Sequence, residues 1–182
     1  VAVIGHSVGE VAAAWASGAL SLEDATQVIY HRSRLQGLTR GTGKMTAVGL
    51  SGEATAQLIA ELKLDGRLVV AGENSARGAT VAGEVDALAL LEAALEERQV
   101  FARRLDLDYA FHSPAMDPIK QAVIDDLAHI RPQATKVPFY STVVGGQLNG
   151  ERLDSQYWWQ NIRFPVLFQG ALAALVRNGL NL

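Results

Sequence analysis

The chain has 182 residues, 49% of them hydrophobic and 19% charged, and a formal net charge of −3. This length and apolar content suit a globular domain that buries a sizeable core. Its basic and acidic residues are interspersed, which argues against a nucleic-acid or anionic-membrane partner, because both need clustered basic residues. The absence of cysteine excludes disulfides and thiolate metal sites and fits a reducing, cytoplasmic setting, and the isolated histidines give no metal-ligand spacing. No apolar run approaches the roughly 18–20 residues of a membrane span.

The start of the chain combines an apolar strand pattern with the motif Gly-x-Ser-x-Gly. Residues 1–4 predict a buried strand, and an alanine-rich helical pattern follows the motif. A serine on such a strand-to-helix turn has little room around its backbone, so we expect Gly5 and Gly9 to let the turn close. The turn exposes the Ser7 hydroxyl and places the Val8 N–H at the positive end of the helix, where it can stabilise an oxyanion. Ser7 is therefore the candidate nucleophile.

The rest of the chain alternates between helical and strand patterns. The predicted helices cover residues 8–16, 22–36, 52–62, 85–98, 117–130 and 166–176. The predicted strands cover residues 44–50, 68–72, 79–83, 100–107 and 137–144, with a turn at 73–78. Between residues 43 and 107 the order is β-α-β-β-α-β, which is the split-βαβ, ferredoxin-like arrangement. We therefore predict an α/β protein in which a small subdomain, residues 43–107, is inserted into a larger α/β subdomain, residues 1–42 and 108–182.

Both ends of the printed sequence fall in apolar stretches. The chain starts at Val1, inside the predicted nucleophile strand, and stops within the apolar residues 179–182. A strand in a parallel sheet needs neighbours for its backbone hydrogen bonds. We therefore expect further elements to flank both ends, so that the chain is a truncated piece of a multidomain protein.

A serine hydroxyl needs a base within hydrogen-bond reach to act as a nucleophile. His112 is the candidate, because it lies in the loop after the last strand of the small subdomain, where the chain returns to the larger one. His6 is the chain neighbour of Ser7, and neighbours on such a turn more often point away from the nucleophile. His31 and His129 lie in predicted helices and are less suited.

Seven sequence features are spread over nearly the whole chain. They are GHSVGE at residues 5–10, Arg32, KMTAV at 44–48, Asn74, YAFH at 109–112, PFYST at 138–142 and YWWQN at 157–161. In order and spacing they resemble the acyltransferase domains of type I polyketide synthases, which are related to bacterial malonyl-CoA:acyl carrier protein transacylases. The resemblance implies a hydrolase-like large subdomain with a ferredoxin-like insert, which agrees with the element order above. It also implies an acyltransferase that holds no bound cofactor and no metal.

The resemblance further implies roles for single residues. The family's nucleophile falls on Ser7 and its base on His112. Its buried arginine, which pairs with the free carboxylate of a malonyl-type substrate, falls on Arg32, where a planar guanidinium can fork onto a carboxylate. The backbone carbonyl that orients the base belongs to the position of Asn161. An asparagine that lines the acyl site falls on Asn74.

Four more positions bear on the acyl group. Val8 after the serine and Phe111 before the base resemble malonyl-selecting domains, and Phe111 fills the space that an α-methyl group needs. Tyr109 departs from that pattern, since tyrosine there is typical of methylmalonyl-selecting domains. His6 is also assigned to the substrate site. The resemblance therefore favours malonyl, with a methylmalonyl-selective domain as the alternative.

The implied reaction is ping-pong. Ser7 attacks the thioester of malonyl-CoA while His112 takes its proton, the Val8 N–H and a second donor hold the oxyanion, and CoA leaves. The phosphopantetheine thiol of an acyl carrier protein then takes the acyl group. In relatives the second donor is a glutamine before the nucleophile strand, a position that the printed sequence lacks. The expected partners are malonyl-CoA, the acyl carrier protein and neighbouring domains of a polyketide synthase, in polyketide and antibiotic biosynthesis.

Two alternatives stay open. An α/β-hydrolase, an esterase or thioesterase, places an acid between the serine and the histidine in the chain, and Asp86, Asp106 or Asp108 could serve. The inserted subdomain and Arg32 argue against it, and mutation of that acid would have to abolish acylation as fully as His112→Ala does. The other alternative is a structural segment that serves as a docking surface in a megasynthase. The intact pair of serine and histidine argues against that interpretation.

Overall fold

A computed structural model describes residues 1–180 as a mixed α/β fold. Within these residues the strands are β1 (Val3–Ile4), β2 (Lys44–Val48), β3 (Leu68–Ser75), β4 (Gly78–Gly83), β5 (Ala102–Arg104), β6 (Phe139–Ser141) and β7 (Gly146–Leu148). The α-helices are α1 (Gly9–Ala16), α2 (Leu22–Gly37), α3 (Gly52–Glu61), α4 (Val85–Glu97), α5 (Lys120–Asp126), α6 (Ser155–Arg163) and α7 (Phe168–Arg177). None of these helices is both long and apolar enough to span a bilayer. Asn181 and Leu182, the end of the predicted large subdomain, lie outside the described residues.

Strands from the two ends of the chain form a three-stranded sheet in the order β1-β6-β7. β1 runs parallel to β6, with Val3 opposite Phe139, and β7 returns antiparallel to β6. α1 packs on β1 and β6, and α7 packs on β6 and β7. Phe139, Trp158 and Leu127 belong to the buried cluster that joins this sheet to the surrounding helices. The sheet therefore fixes the turn between β1 and α1, on which Ser7 lies.

The middle of the chain forms a four-stranded antiparallel sheet in the order β3-β4-β2-β5. Its elements follow one another as β-α-β-β-α-β. The apolar residues of α3 and α4 recur at helical spacing, so each helix turns one apolar face to the sheet. Leu58, Leu88 and Leu91 of these helices form one buried cluster with Val48 and Val81 of the strands.

The two sheets meet at β3, which is an edge strand of the second sheet. The N–H of Val166 donates to the carbonyl of Ala71 over 2.9 Å, and the N–H of Glu73 donates to the carbonyl of Val166 over 2.8 Å. Val166 lies just before α7, so these bonds hold the end of the chain against β3. The contact brings Asn74, near the end of β3, beside the nucleophile turn.

The helices predicted at residues 8–16, 22–36, 52–62 and 85–98 are confirmed as α1 to α4, within one residue at each end. Serine caps mark the starts of α2 and α3. The Ser21 side chain accepts a hydrogen bond from the N–H of Asp24 over 3.0 Å, as the sequence at the start of α2 predicts. The helix predicted at residues 166–176 is α7, shifted by one or two residues.

The prediction of one α-helix over residues 117–130 is wrong. The chain makes a 3-10 helix over Pro114–Ile119 and continues as α5 for only seven residues. Pro118 lies inside the 3-10 segment, and its ring disfavours the α-helical conformation of the preceding residue, Asp117, so the α-helix begins only after it. The turn predicted at residues 73–78 is also too long, because β3 continues through Ser75.

Four predicted strands are shorter than expected. The strand predicted at residues 44–50 is β2, which ends at Val48. Those at residues 100–107 and 137–144 shrink to β5 and β6, with three residues each. The strand predicted as buried over residues 1–4 is a two-residue β1 whose side chains are only half-buried.

β7 and α6 were not predicted. A carboxylate cap begins α6, since Asp154 accepts a hydrogen bond from the N–H of Tyr157 over 2.9 Å. Tyr157, Trp158 and Trp159 are consecutive, so they give no helical period, yet all three are buried in the large core. Helix α6 was not predicted because its buried residues lie on more than one side and therefore give no helical period.

Candidate active site

Ser7 lies on the turn between β1 and α1 and has a backbone φ of 52°. A residue with a side chain is strained in this left-handed region, and such strain is typical of nucleophile turns. A Cβ on Gly5 would overlap backbone atoms of Gly9 and Glu10, so glycine is required there. The same expectation for Gly9 is wrong, because a Cβ on Gly9 would meet no atom within 4 Å.

The Ser7 hydroxyl lies 2.8 Å from Nε2 of His112. The other ring nitrogen, Nδ1, lies 2.9 Å from the backbone carbonyl of Phe164. A carbonyl can only accept, so Nδ1 carries the proton and Nε2 is left with a free lone pair. The imidazole therefore faces the serine in the tautomer that a general base requires.

The orienting carbonyl is thus that of Phe164, and the assignment of this role to Asn161 is wrong. The reason is where α6 ends. Phe164 follows the last residue of α6 and has extended backbone angles, φ −91° and ψ 162°, so its carbonyl turns out of the helix toward His112. Asn161 lies inside the helix, and its side chain turns toward Arg32 instead.

Burial lowers the pKa of His112 to about 3, and the nearby positive charge of Arg32 acts in the same direction. The hydrogen bond to the Phe164 carbonyl opposes this shift. The imidazole is consequently neutral at physiological pH and can accept the serine proton.

Arg32 projects from α2 and is buried, with 4% of its surface exposed. Its Nη2 donates to the Ser7 hydroxyl oxygen over 3.0 Å, its Nε donates to Oε1 of Gln36 over 3.0 Å, and its Nη1 donates to Oδ1 of Asn161. Burial lowers the pKa of this guanidinium to about 10, and the charge of Glu10 opposes the shift. Arg32 therefore keeps a positive charge beside the nucleophile at neutral pH.

The turn also offers a backbone donor. Within residues 1–180 no hydrogen bond uses the Val8 N–H, while the N–H groups of Gly9, Glu10 and Val11 all pair with carbonyls of the turn. Val8 immediately precedes α1, where the helix dipole favours negative charge. A free N–H at this position suits an oxyanion. The Val8 side chain is exposed.

His6 joins the turn to the second sheet. Its Nε2 lies 2.7 Å from Oδ1 of Asn74, and the Asn74 amide donates to the Thr80 hydroxyl over 3.0 Å. The His6 ring also packs at a tilt on Phe168, with 5.3 Å between ring centroids. His6 therefore faces Asn74 rather than Ser7, and both predicted substrate-site residues lie at the junction of the two sheets.

Tyr109 and Phe111 form a stacked pair, with 4.8 Å between ring centroids and 10° between ring planes. Phe111, which favours malonyl in the sequence analysis, is thus in direct contact with Tyr109, which favours methylmalonyl. Because Phe111 precedes His112, any displacement of one ring affects the loop that holds the base.

Two of the three acids considered for a hydrolase triad, Asp86, Asp106 and Asp108, pair with basic residues elsewhere. Asp86 accepts from Arg67, and Asp108 lies between Arg40 and Lys44. None of them contacts His112 in the part of the chain that the structure describes. Because a carbonyl occupies the position of the third triad member, the geometry is that of a serine–histidine dyad.

Several site residues have no signal that the sequence analysis used. Phe164 supplies the orienting carbonyl, Gln36 holds Arg32, and Glu10 is fully buried next to the nucleophile turn. Glu10 lies within the GHSVGE motif, and a carboxylate on the apolar face of an alanine-rich helix could have marked it as a buried acid.

Comparison with known proteins agrees with this geometry. The sequence matches the family described as the acyl transferase domain over residues 1–181. The chain belongs to this family. The resemblance inferred from the sequence is thereby confirmed.

Relatives of this acyltransferase domain include polyketide synthase GfsE of Streptomyces halstedii, 40% identical over 181 residues. Erythronolide synthase EryA2 of Saccharopolyspora erythraea is 37% identical over 178 residues. The alignments cover 100% and 98% of the chain, respectively, but only 5% of each relative. Among solved structures, the acyltransferase domain from module 8 of the salinomycin polyketide synthase has a TM-score of 0.93 and 39% identity, over 97% of this chain and 41% of that chain.

Proposed function

We propose that the domain transfers a malonyl group from malonyl-CoA, through an acyl-serine at Ser7, to the phosphopantetheine thiol of an acyl carrier protein in polyketide biosynthesis. One observation carries the proposal: the Ser7 hydroxyl oxygen lies between Nε2 of His112 and Nη2 of Arg32, at 2.8 and 3.0 Å. A neutral base and a fixed cation thus meet at one nucleophile.

In the first half-reaction, the Ser7 oxygen attacks the thioester carbonyl and its proton passes to Nε2 of His112. The Val8 N–H stabilises the oxyanion that forms. When this intermediate collapses, the C–S bond breaks, and the CoA sulfur takes the proton from His112 as it leaves.

The second half-reaction reverses these roles. The phosphopantetheine thiol gives its proton to His112 and attacks the acyl-serine carbonyl. The bond between that carbon and the Ser7 oxygen breaks, and His112 returns the proton to Ser7. Because each transfer uses the same base, no further proton donor is needed.

Arg32 selects the acyl group by charge. In a malonyl-serine the free carboxylate is separated from the ester carbonyl by a single CH₂, which spans two carbon–carbon bonds of about 1.5 Å each. Arg32 contacts the serine oxygen itself, so a carboxylate at this short distance lies within its reach. An acetyl group offers no acceptor to the remaining N–H groups of the buried guanidinium, which disfavours it.

The choice of malonyl over methylmalonyl rests on Phe111, whose ring is fixed against Tyr109. Phe111→Ala opens space beside the base, and we expect the ratio of methylmalonyl to malonyl adducts to rise by about 10- to 100-fold. The exposed Phe101→Ala is the matched control and leaves the ratio unchanged. If the unaltered protein already prefers methylmalonyl-CoA, Tyr109 outweighs Phe111 and the alternative selectivity is correct.

We also propose the division of the chain into two subdomains. The strand order β3-β4-β2-β5 with its β-α-β-β-α-β connectivity supports a ferredoxin-like small subdomain over residues 43–107. The parallel pair β1 and β6, with the serine turn after β1, supports a hydrolase-like large subdomain over residues 1–42 and from residue 108 onward. The neighbouring domains of a polyketide synthase are proposed partners, as the match to only 5% of GfsE suggests.

Intact-mass spectrometry of the protein that carries this sequence tests the acyl-serine directly. Brief incubation with malonyl-CoA is expected to add one malonyl group, which moves to an acyl carrier protein in its phosphopantetheinyl form. Ser7→Ala is expected to show no adduct. Steady release of free malonate without transfer indicates a hydrolase, and the absence of both adduct and CoA release contradicts the proposal.

A further inference from the structure

Glu10 is a buried carboxylate that the reaction described above does not use. It lies in the first turn of α1 and has no exposed surface. Within residues 1–180 it is the only buried Asp or Glu, and Arg32 is the only buried Arg or Lys. An isolated buried charge is strongly unfavourable, so each of these two charges needs hydrogen-bond partners that compensate for its burial.

Both carboxylate oxygens of Glu10 accept hydrogen bonds from distant elements. Oε1 accepts from the backbone N–H and from the hydroxyl of Thr142, the latter over 2.6 Å. Oε2 accepts from the hydroxyl of Tyr157 and from the amide nitrogen of Asn161, the latter over 3.0 Å. Thr142 follows β6, and the other two residues lie on α6. One side chain thus ties α1 to two elements that flank the site.

These donors suit an ionised carboxylate. The Thr142 N–H and the Asn161 amide nitrogen can only donate, and one of them reaches each carboxylate oxygen. Burial raises the pKa of Glu10, while its hydrogen bonds and the charge of Arg32 oppose that shift. An ionised Glu10 is the negative counterpart of the buried Arg32 charge.

Asn161 links the two charges. Its Nδ2 donates to Glu10 and, over 3.3 Å, to the backbone carbonyl of Ser7, while its Oδ1 accepts from Nη1 of Arg32. A flipped amide turns oxygen toward the carboxylate and N–H groups toward the guanidinium, which is unfavourable on both sides. Glu10 therefore sets the direction of the Asn161 amide, and the amide sets where Nη1 points.

Arg32 uses three of its five N–H groups in this arrangement, on Gln36, Asn161 and Ser7. One N–H on each terminal nitrogen is left without a partner among residues 1–180. This pair is what a carboxylate accepts in a two-point contact. Gln36 and Asn161 hold the guanidinium from two sides, so a change at Asn161 misaligns the pair.

We propose that Glu10 is a positioning residue for acyl selection: through Asn161 its carboxylate holds Arg32 in the orientation that receives the carboxylate of the acyl group. This inference rests on the proposed function, since it assigns Glu10 to the selectivity of that same site. Glu10 itself touches neither the substrate nor the reacting atoms.

The test is a competition between equal concentrations of malonyl-CoA and acetyl-CoA, read as the ratio of malonyl to acetyl adducts by intact mass. Glu10→Gln removes the charge and replaces one carboxylate oxygen with an amide nitrogen. That nitrogen cannot accept the hydrogen bond that Thr142 or Asn161 donates at its position. We expect the ratio to fall at least about tenfold, toward the value for Arg32→Ala. A role in stability alone lowers both adducts together and leaves the ratio unchanged.

A matched control separates the two effects. Thr55→Val removes a buried hydroxyl in α3, beside the four-stranded sheet, that donates to the carbonyl of Ser51 over 2.7 Å. This variant is expected to lower the melting temperature and to leave the ratio of malonyl to acetyl adducts unchanged. If Glu10→Gln does not fold, Asn161→Ala replaces it, because this variant removes the link while the carboxylate stays in place.

The outcomes distinguish the inference from the function on which it rests. No malonyl adduct on the unaltered protein contradicts the proposed function itself. An unchanged ratio in Arg32→Ala contradicts the role of Arg32 in selection, and with it the inference. A lowered ratio in Arg32→Ala, together with an unchanged ratio in folded Glu10→Gln or Asn161→Ala, overturns the role of Glu10 alone.

Discussion

The two sheets of this acyltransferase domain bury different kinds of side chain. Around the four-stranded sheet, between residues 43 and 107, the buried polar side chains are those of Thr46 and Thr55, and the other buried residues are apolar or glycine. Around the three-stranded sheet the chain buries Glu10, Arg32 and His112. Apolar burial stabilises a fold at little cost, whereas buried charges stabilise it only when they are paired.

This difference separates a supporting region from a chemical one. Glu10, Arg32 and His112 each have a hydrogen-bond partner, and each has at least one partner from a distant part of the chain. A region that served stability alone would be expected to resemble the other sheet. The comparison therefore predicts that mutations in the two regions have different consequences: altered rates and selectivity in one, altered stability in the other.

The largest expected effect is that of His112→Ala. Loss of the general base is expected to slow acylation by about 10²- to 10⁴-fold. Single-turnover release of CoA measures the rate. The control is His129→Ala, which is expected to leave the rate unchanged. His129 is exposed and lies three residues after the end of α5. A rate within a few-fold of the original in His112→Ala contradicts the assignment of the base.

A substitution in the other region is expected to change stability instead. Leu88→Ala removes a fully buried side chain from the cluster under the four-stranded sheet and is expected to lower the free energy of unfolding by about 2–5 kcal/mol. Leu90→Ala, on the exposed side of α4, is the matched control. Chemical denaturation measures the difference. If the ratio of malonyl to acetyl adducts also changes in Leu88→Ala below its melting temperature, the separation of the two regions is wrong.

The smallest expected effect is the response of the acylation rate to pH. Because burial and Arg32 lower the pKa of His112 to about 3, the imidazole stays neutral from pH 8 down to pH 5, and the rate is expected to stay level. A histidine with an ordinary pKa of about 6.5 would lose roughly 30-fold over the same range. A half-maximal rate near pH 6.5 therefore contradicts the burial of a neutral base.

The same shift has a consequence for stability. Between pH 6.5 and about 3 the unfolded chain binds a proton on His112 that the folded protein does not bind. The contribution of this group to the free energy of unfolding is complete above pH 6.5 and decreases as the pH falls through that interval. His112→Ala is expected to reduce this pH dependence in a denaturation series.

The sequence was sufficient for the groups that we propose to act on the substrate, because a local motif marks Ser7 and the resemblance to a known family marks His112 and Arg32. The strand-to-helix turn identifies Ser7, and the YAFH and arginine positions identify His112 and Arg32, which the structure brings within 3.0 Å of the serine oxygen. The helices α1 to α4 were also predictable, since their apolar residues follow a helical pattern and serine caps begin α2 and α3.

The groups that support them were less predictable, because they depend on distant parts of the chain. The family resemblance placed the orienting carbonyl at Asn161. Only the end of α6, a helix that was not predicted, shows that the carbonyl of Phe164 turns toward His112. The partners of Glu10 lie 132 to 151 residues away in the sequence, so no local pattern joins them. Tertiary packing alone brings them together.

The central claim is that the buried charge of Arg32 selects an acyl group with a free carboxylate. The direct measurement is the ratio of malonyl to acetyl adducts on Ser7 after competition, in the unaltered protein, in Arg32→Ala and in Arg34→Ala. Arg34 lies two positions along α2 and pairs with Asp126 at the surface. We predict that Arg32→Ala lowers the ratio by about 10²-fold or more, while Arg34→Ala leaves it unchanged. A ratio that is the same in all three proteins contradicts the claim.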